Sequence, residues 1–316
     1  MDSSAPYIST SARGLSKEIE IPVAWGVIAG KTFGSPSNPP VLCLHGWLDN
    51  CNSFDKLIPL LPEDKYYVAI DIPGHGLSSG IPIGMYYSIF GSVSAVESIA
   101  NYFNWKKFSL LGHSLGGNIN AMYSGTFPDK VDKLIIIDVI GAFPVEAKLA
   151  PSILSSSIQS YLNYETKLHV AAPRYTYDEA KHRLMTANKS LDNEAADIFL
   201  ERGTRKHEDG KYSYTRDLRH RFRNPMFCTP ETAVHFLNQI TASTLHVMAS
   251  EGSVQKARAT HKEGIEKLFA SFTSVKKSEY VLIEGDHHLH MVNAEQVAKH
   301  ISAFLNHVTQ EPSVHL

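Results

Sequence analysis

Apolar residues follow two kinds of pattern along this chain. Near the N-terminus Ile19, Ile21 and Val23 alternate with other residues, and Trp25, Val27 and Ala29 repeat the alternation. That period of two predicts half-buried edge strands. Six short apolar runs follow, at 41–44, 66–70, 108–111, 134–137, 245–249 and 280–283, each bounded by turn residues. Runs this short, without alternation, predict strands buried on both faces of a parallel sheet. Between the runs, 94–103 and 115–127 read as helices, the second stopped before Pro128. After the last run, Val297, Ile301, Phe304, Leu305 and Val308 share one helical face, and Asn293 and Gln296 have the spacing of a capping box at its start. Strands alternating with helices predict an open α/β architecture, a mostly parallel sheet flanked by helices.

The rhythm breaks between 141 and 240. This stretch is polar, carries no buried-strand run, and holds helical patches at 177–186 and 194–202. It is too long for a plain loop and predicts an inserted helical cap. A cap over the carboxyl ends of the strands would cover the crevice where such sheets bind ligands. The expected division is a flexible segment 1–16, a core of 17–140 and 241–316, and a cap of 141–240.

Composition narrows the class. The 316 residues are 43% hydrophobic and include 14 Phe, 14 Tyr and 3 Trp, enough apolar surface to exclude disorder over most of the chain. Thirty basic against 32 acidic residues give a net charge of −2, so there is no global electrostatic case for nucleic acid as a partner. No apolar run approaches the ~20 residues of a membrane span, so no integral membrane segment is expected. The start, Met-Asp-Ser-Ser-Ala-Pro, reads as no secretory signal. Cys43, Cys51 and Cys228 lack zinc-site spacing and read as free thiols of a cytoplasmic protein. The final Val314-His315-Leu316 approaches a peroxisomal address of the S-K-L type, with Val314 in place of its small residue, which makes peroxisomal delivery the minor expectation.

Three segments carry chemistry. Gly112-His113-Ser114-Leu115-Gly116 directly follows one predicted strand and precedes a predicted helix. That is the context of a nucleophile elbow, in which flanking glycines permit a tight turn and a helix N-terminus favours a developing anion. Leu44-His45-Gly46-Trp47-Leu48 follows another strand. An oxyanion hole needs two converging backbone amides, and those of Trp47 and Leu115 are the candidates. His45 reads as a structural histidine that fixes this loop. Gly285-Asp286-His287-His288-Leu289-His290-Met291 follows the final strand. A serine nucleophile needs a base, and His287, first after the strand, is the candidate. A metal reading of His287, His288 and His290 finds no partner ligands at recognisable spacing, so no metal is expected. His75, in the turn after run 66–70, reads as structural. The basic cluster Arg216, Arg219, His220, Arg221 and Arg223 reads as paired with Asp217 and nearby acids or solvated, rather than as an anion site.

Over about residues 17–308 the chain resembles the α/β-hydrolase superfamily, and within it the serine hydrolase-like proteins, kraken-type hydrolases included. The resemblance is carried by His45-Gly46-Trp47-Leu48-Asp49-Asn50, by Asp71-Ile72-Pro73-Gly74-His75-Gly76-Leu77-Ser78, by Gly112-His113-Ser114-Leu115-Gly116-Gly117, and most specifically by Tyr214-Thr215-Arg216-Asp217-Leu218-Arg219. It implies an α/β-hydrolase fold, Ser114 as nucleophile, His287 as base and no cofactor, and it leaves the substrate unnamed. The acid departs from the superfamily's common pattern: Ser250-Glu251-Gly252-Ser253 follows run 245–249, with Ser253 where an aspartate is usual. Asp138, at the end of run 134–137, has a precedent in the dehalogenase-like branch and is the expected acid, with Glu251 as its rival. The acid's task is to orient the imidazole and stabilise its charged form. A serine nucleophile excludes the aspartyl ester of dehalogenases and epoxide hydrolases. The expected function is therefore a serine hydrolase cleaving carboxylic esters or similar small acyl substrates through an acyl-enzyme on Ser114. The alternatives are a non-catalytic small-ligand-binding protein on the same fold, which the displaced acid would suit, and a C–C bond hydrolase sharing the triad.

Overall fold

The computed structural model describes residues 16–142, 144–222 and 228–307. Segment 1–15, the tripeptide 314–316, Val308 and Arg223 lie outside the described residues. The chain opens with an antiparallel pair, β1 (Lys17–Val23) and β2 (Gly26–Phe33), and continues through β3 (Pro40–Leu44) and β4 (Tyr66–Ile70). Helix α1 (Ile89–Tyr102), strand β5 (Phe108–His113), helix α2 (Leu115–Thr126) and strand β6 (Val131–Ile137) follow. The inserted region contributes α3 (Ala150–Glu165), α4 (Tyr177–Ala187), α5 (Asn193–Gly203), β7 (Thr204–Lys206), β8 (Tyr212–Tyr214) and α6 (Pro230–Asn238). The chain then returns to the sheet through β9 (Ser243–Ala249), α7 (Ser253–Phe269), β10 (Ser278–Ile283), the short α8 (Leu289–Val292) and α9 (Ala294–Asn306).

Eight strands form one sheet in the order β1-β2-β4-β3-β5-β6-β9-β10. From β4 to β10 every pairing is parallel, while β2 meets β1 and β4 antiparallel. Burial on two faces explains the unbroken apolar runs of β3, β4, β5, β6 and β9. Leu42, Leu44, Val68, Ile70, Leu110, Leu134 and Ile136 enter the core beneath α1 and α2, and the intervening Val41, Cys43, Tyr67, Ala69, Leu111, Ile135 and Ile137 enter the core beneath α9. Run 280–283 departs from that expectation: β10 is an edge strand of the sheet, so Tyr280 and Leu282 are exposed and only Val281 and Ile283 turn to the core. Val297, Ile301, Phe304 and Leu305 of α9 are all buried, as their spacing predicts. Its capping box does not form. Asn293 has φ −129 and ψ 45 rather than extended backbone, and its amide donates to the Glu284 carbonyl at 3.5 Å. A capping box occurs instead at α4, between Thr176 and Glu179.

The 141–240 stretch departs from the expected helical cap in two places. Strands β7 and β8 form an antiparallel ribbon, too short and polar to show a hydrophobic period. Helix α6 packs on α2, where Gly125 lets the Phe236 backbone approach to 2.2 Å from the position of an added Cβ, and its Ala233 and Leu237 join the sheet's core. Helices α4 and α5 share a smaller core of Leu184, Ala195, Ala196, Phe199 and Leu200, into which Met291 of α8 inserts. Arg202 of α5 anchors this unit to the sheet. Its guanidinium donates to the buried Asp71 carboxylate at 2.7 Å and to Glu18 of β1 at 2.8 Å. All three cysteines are buried, free thiols. Among the described residues, no helix is long and apolar enough to cross a membrane.

Candidate active site

The register of the parallel strands brings the candidate loops to one edge. Leu44 pairs with Gly112, His113 with Ile137, Ile137 with Val247, and Ala249 with Ile283. The segments after β3, β5, β6, β9 and β10 therefore emerge side by side, at the carboxyl ends where such sheets bind ligands.

Ser114 sits between β5 and α2 at φ 50 and ψ −113, a conformation rare for a residue with a side chain. Its amide donates to Ile137 at 3.0 Å. The flanking glycines are sterically required. A Cβ on Gly116 would lie 2.0 Å from the Leu44 carbonyl oxygen, and one on Gly112 would lie 2.5 Å from the α2 backbone. Asp138 leaves β6 in a second left-handed turn, at φ 48, and is fully buried. Strain of this kind costs on the order of 1–3 kcal/mol per residue and persists only where the surroundings enforce it.

The Asp138 carboxylate meets the His287 ring at 2.6 Å, Oδ2 to Nδ1. An ionised carboxylate only accepts, so Nδ1 carries the proton and Nε2 keeps its lone pair. The Ser253 amide donates to the same Oδ2 at 2.7 Å, and the Ala249 amide donates to Oδ1 at 3.4 Å. Gly252 allows this approach, because a Cβ there would fall 2.2 Å from Asp138 Oδ1. Ser253 was not foreseen as part of the site, although it occupies the superfamily's usual acid position. Its Oγ lies 2.8 Å from His287 Nδ1, so carboxylate and hydroxyl converge on one nitrogen. Glu251 is exposed, and among the described residues no contact joins it to His287. Ser114 Oγ has no hydrogen-bond partner among the described residues, and the Ser114–His287 contact is not closed here; such contacts often tighten only with substrate bound.

The β3 loop lies against the elbow, where Gly116 donates to the His45 carbonyl at 3.0 Å. Leu115 opens α2, so its amide lacks an intrahelical acceptor. Trp47 is half exposed, and its indole N–H donates to the His220 carbonyl at 2.8 Å. Trp47, Leu115 and Ser253 all border a cavity of about 1160 Å³, whose walls include Tyr86, Tyr87, Met122, Ile153, Tyr161 and Leu268. Ser114 and His287 are not among its lining residues; Leu115, which follows Ser114, and Ser253, which contacts His287, are.

His45, His75, Arg216 and Arg219 are structural in their contacts. His45 accepts the Ile72 amide at 2.9 Å and donates to the Gly46 carbonyl at 2.7 Å. His75 accepts the Leu48 amide at 3.2 Å. Arg219 binds Asp217 and the carbonyls of Ile81, Pro82 and Met85, and Arg216 packs its guanidinium 4.2 Å from the centre of the Tyr214 ring. Burial pushes His220 and His246 down to about 4 and lowers His45, His75, His113 and His290 in the same direction. Unfolded histidines titrate near 6.5, so below that pH the unfolded chain takes up protons that the folded chain refuses. Stability is complete above ~6.5 and is lost as pH falls toward 4, by up to about 1.4 kcal/mol per pH unit for each such histidine. Urea midpoints measured from pH 7.5 to 5 should fall steeply; a flat profile would contradict this burial.

This sheet order, with an elbow after its central strand and an insertion before β9, defines an α/β-hydrolase-fold protein. The family model for the alpha/beta hydrolase fold matches residues 39–172. The chain is 36% identical over 300 residues to a serine hydrolase-like protein of Danio rerio, covering 95% of this chain and 91% of that one. It is also 36% identical to serine hydrolase-like protein 2 of Homo sapiens, over 93% of this chain and 96% of that one. A solved hypothetical protein of Pseudomonas aeruginosa PAO1 superposes with a TM-score of 0.81 at 29% identity, over 92% of this chain and 99% of that one. The chain belongs to the serine hydrolase-like proteins of the α/β-hydrolase superfamily.

Proposed function

We propose that this protein is a serine hydrolase that cleaves carboxylic esters or similar acyl substrates through an acyl-enzyme on Ser114. The observation that carries the reading is the buried Asp138 carboxylate 2.6 Å from His287 Nδ1, on the sheet edge that also presents Ser114. His287 Nε2 takes the Ser114 hydroxyl proton as Oγ attacks the acyl carbonyl carbon. The carbonyl oxygen becomes an oxyanion and accepts from the Trp47 and Leu115 amides. Asp138 stabilises the imidazolium, which then protonates the departing alcohol. Water, deprotonated by the same Nε2, attacks the acyl-enzyme and releases the acid, and the proton returns to Ser114. Among side-chain choices only the nucleophile, base and acid take part, so the chemistry calls for no cofactor and no metal. The inserted region over the strand ends would act as a cap and set the acyl group's shape. Three buried, unpaired thiols support a cytoplasmic setting.

The mostly apolar cavity wall supports an acyl chain rather than a charged acyl group. A panel of acyl esters of increasing chain length should therefore show kcat/KM rising with apolar length until the cavity is filled, each added methylene contributing up to about 0.8 kcal/mol. Folded protein that cleaves no ester in the panel would overturn the reading, and cleavage of a diketone panel instead would identify a C–C bond hydrolase.

A further inference from the structure

We propose that Asp49, His113 and His288 form a binding site for a divalent transition-metal ion of the zinc class, directly behind the candidate active site. All three side chains are buried, and one ligand atom from each lies within 4.8 Å of the other two. Asp49 Oδ2 is 3.3 Å from His288 Nε2 and 3.7 Å from His113 Nδ1. Ligand atoms on a tetrahedral zinc, with bonds of about 2.0–2.1 Å, stand about 3.3 Å apart; the two edges from Asp49 are near that value, and the third, between the two imidazoles, is within 4.8 Å. Two imidazoles and a carboxylate are a donor set that suits zinc and its neighbours.

Hydrogen bonding around the triangle leaves it rich in lone pairs. His113 Nε2 donates to the His287 carbonyl at 2.9 Å, so its Nδ1 carries a lone pair. That buried Nδ1 has no hydrogen-bond partner and faces the Asp49 oxygen, which also only accepts. Two acceptors 3.7 Å apart, away from water, leave room for a cation between them. His288 fits the same role. Without an ion, its Nε2 lies within hydrogen-bond reach of Asp49 Oδ2 at 3.3 Å; with the proton on Nδ1, 2.7 Å from Ser190 Oγ, the Nε2 lone pair is available to a metal. In both rings the nitrogen away from the triangle is held by a carbonyl or a hydroxyl, the outer support that metal-bound histidines require. His290 lies against His113, with ring centres 4.1 Å apart, and its own Nδ1 is likewise without a partner. Gly46 keeps one corner open, since a Cβ there would stand 2.6 Å from Asp49 Oδ2 and 2.8 Å from His113 Nδ1.

The three ligands come from three separate segments, the loop after β3, the last residue of β5 and the turn before α8, each next to one part of the candidate site. Asp49 lies two residues after Trp47, His113 directly precedes Ser114, and His288 directly follows His287. A bound ion would staple the oxyanion, nucleophile and base segments together. This positioning role rests on the proposed function, whereas the site itself does not.

The test uses the full-length protein, stripped with a chelator and equilibrated against micromolar Zn²⁺, with bound metal counted by mass spectrometry. One equivalent is expected, together with a higher melting temperature. Co²⁺ in place of Zn²⁺ should give the strong visible absorption of a tetrahedral ion. Asp49→Asn and His288→Gln should each weaken binding at least ~10-fold and lose that absorption. His182→Gln, at an exposed position, and Ser114→Ala should bind as the parent does, so loss of the hydrolase reading would leave this result intact. Absent stoichiometric binding, a six-coordinate Co²⁺ spectrum, or equal binding by the Asp49 and His288 variants would overturn the proposal. Should those variants not fold, as read by circular dichroism, the parent's stoichiometry and Co²⁺ spectrum decide the matter.

Discussion

Ser114→Ala should lower kcat/KM for acyl esters by on the order of 10³-fold or more. The loss should fall on kcat rather than KM, because the cavity that would hold the acyl chain is lined by other residues. Folding should be undisturbed. The Ser114 hydroxyl has no partner to lose among the described residues, and alanine keeps the side-chain volume below that of serine at the same strained φ of 50. Residual turnover would come from oxyanion stabilisation and binding alone. Steady-state kinetics on one good ester, beside a melting curve for the variant, would decide it. A variant with parental kcat would remove Ser114 from the chemistry.

Asp138→Asn should cost about 10⁴-fold in kcat. The asparagine amide can donate to His287 Nδ1, which would move the ring proton to Nε2, where the lone pair is needed. Ser253 Oγ, 2.8 Å from the same nitrogen, can still accept the Nδ1 proton and works against that tautomer, so Asp138→Asn with Ser253→Ala should be slower still. Glu251→Gln should turn over at close to the parental rate, because no contact joins Glu251 to His287 among the described residues. The three variants compared on one substrate test which carboxylate serves the base. Equal losses in the Asp138 and Glu251 variants would contradict the assignment. Asp138 also accepts two backbone amides, so each variant's melting temperature belongs beside its rate.

Much of this arrangement was legible in the sequence because it follows from local rules. Buried runs such as 134–137 have no other stable place than a sheet covered on both faces. Gly112 and Gly116 mark a turn that only glycine permits. What was not legible depends on contacts between distant segments. The β7–β8 ribbon has three-residue strands with no period to read. Asn293 looks like a helix cap, but its amide is drawn to the Glu284 carbonyl, nine positions back toward β10. Ser253 reads as the loss of an acid until Asp138 is seen approaching the same ring from β6. The Asp49, His113 and His288 triangle joins residues from three distant segments, so no spacing along the chain announces it.

The central claim, that Ser114 is an activated nucleophile, is tested most directly by covalent labelling. Purified protein would be incubated with a fluorophosphonate probe beside Ser114→Ala, and the labelled site mapped by peptide mass spectrometry. The account predicts one label on Ser114, absent from the variant and blocked by prior incubation with an acyl ester. A folded protein that takes up no label, or takes it up equally without Ser114, would contradict it.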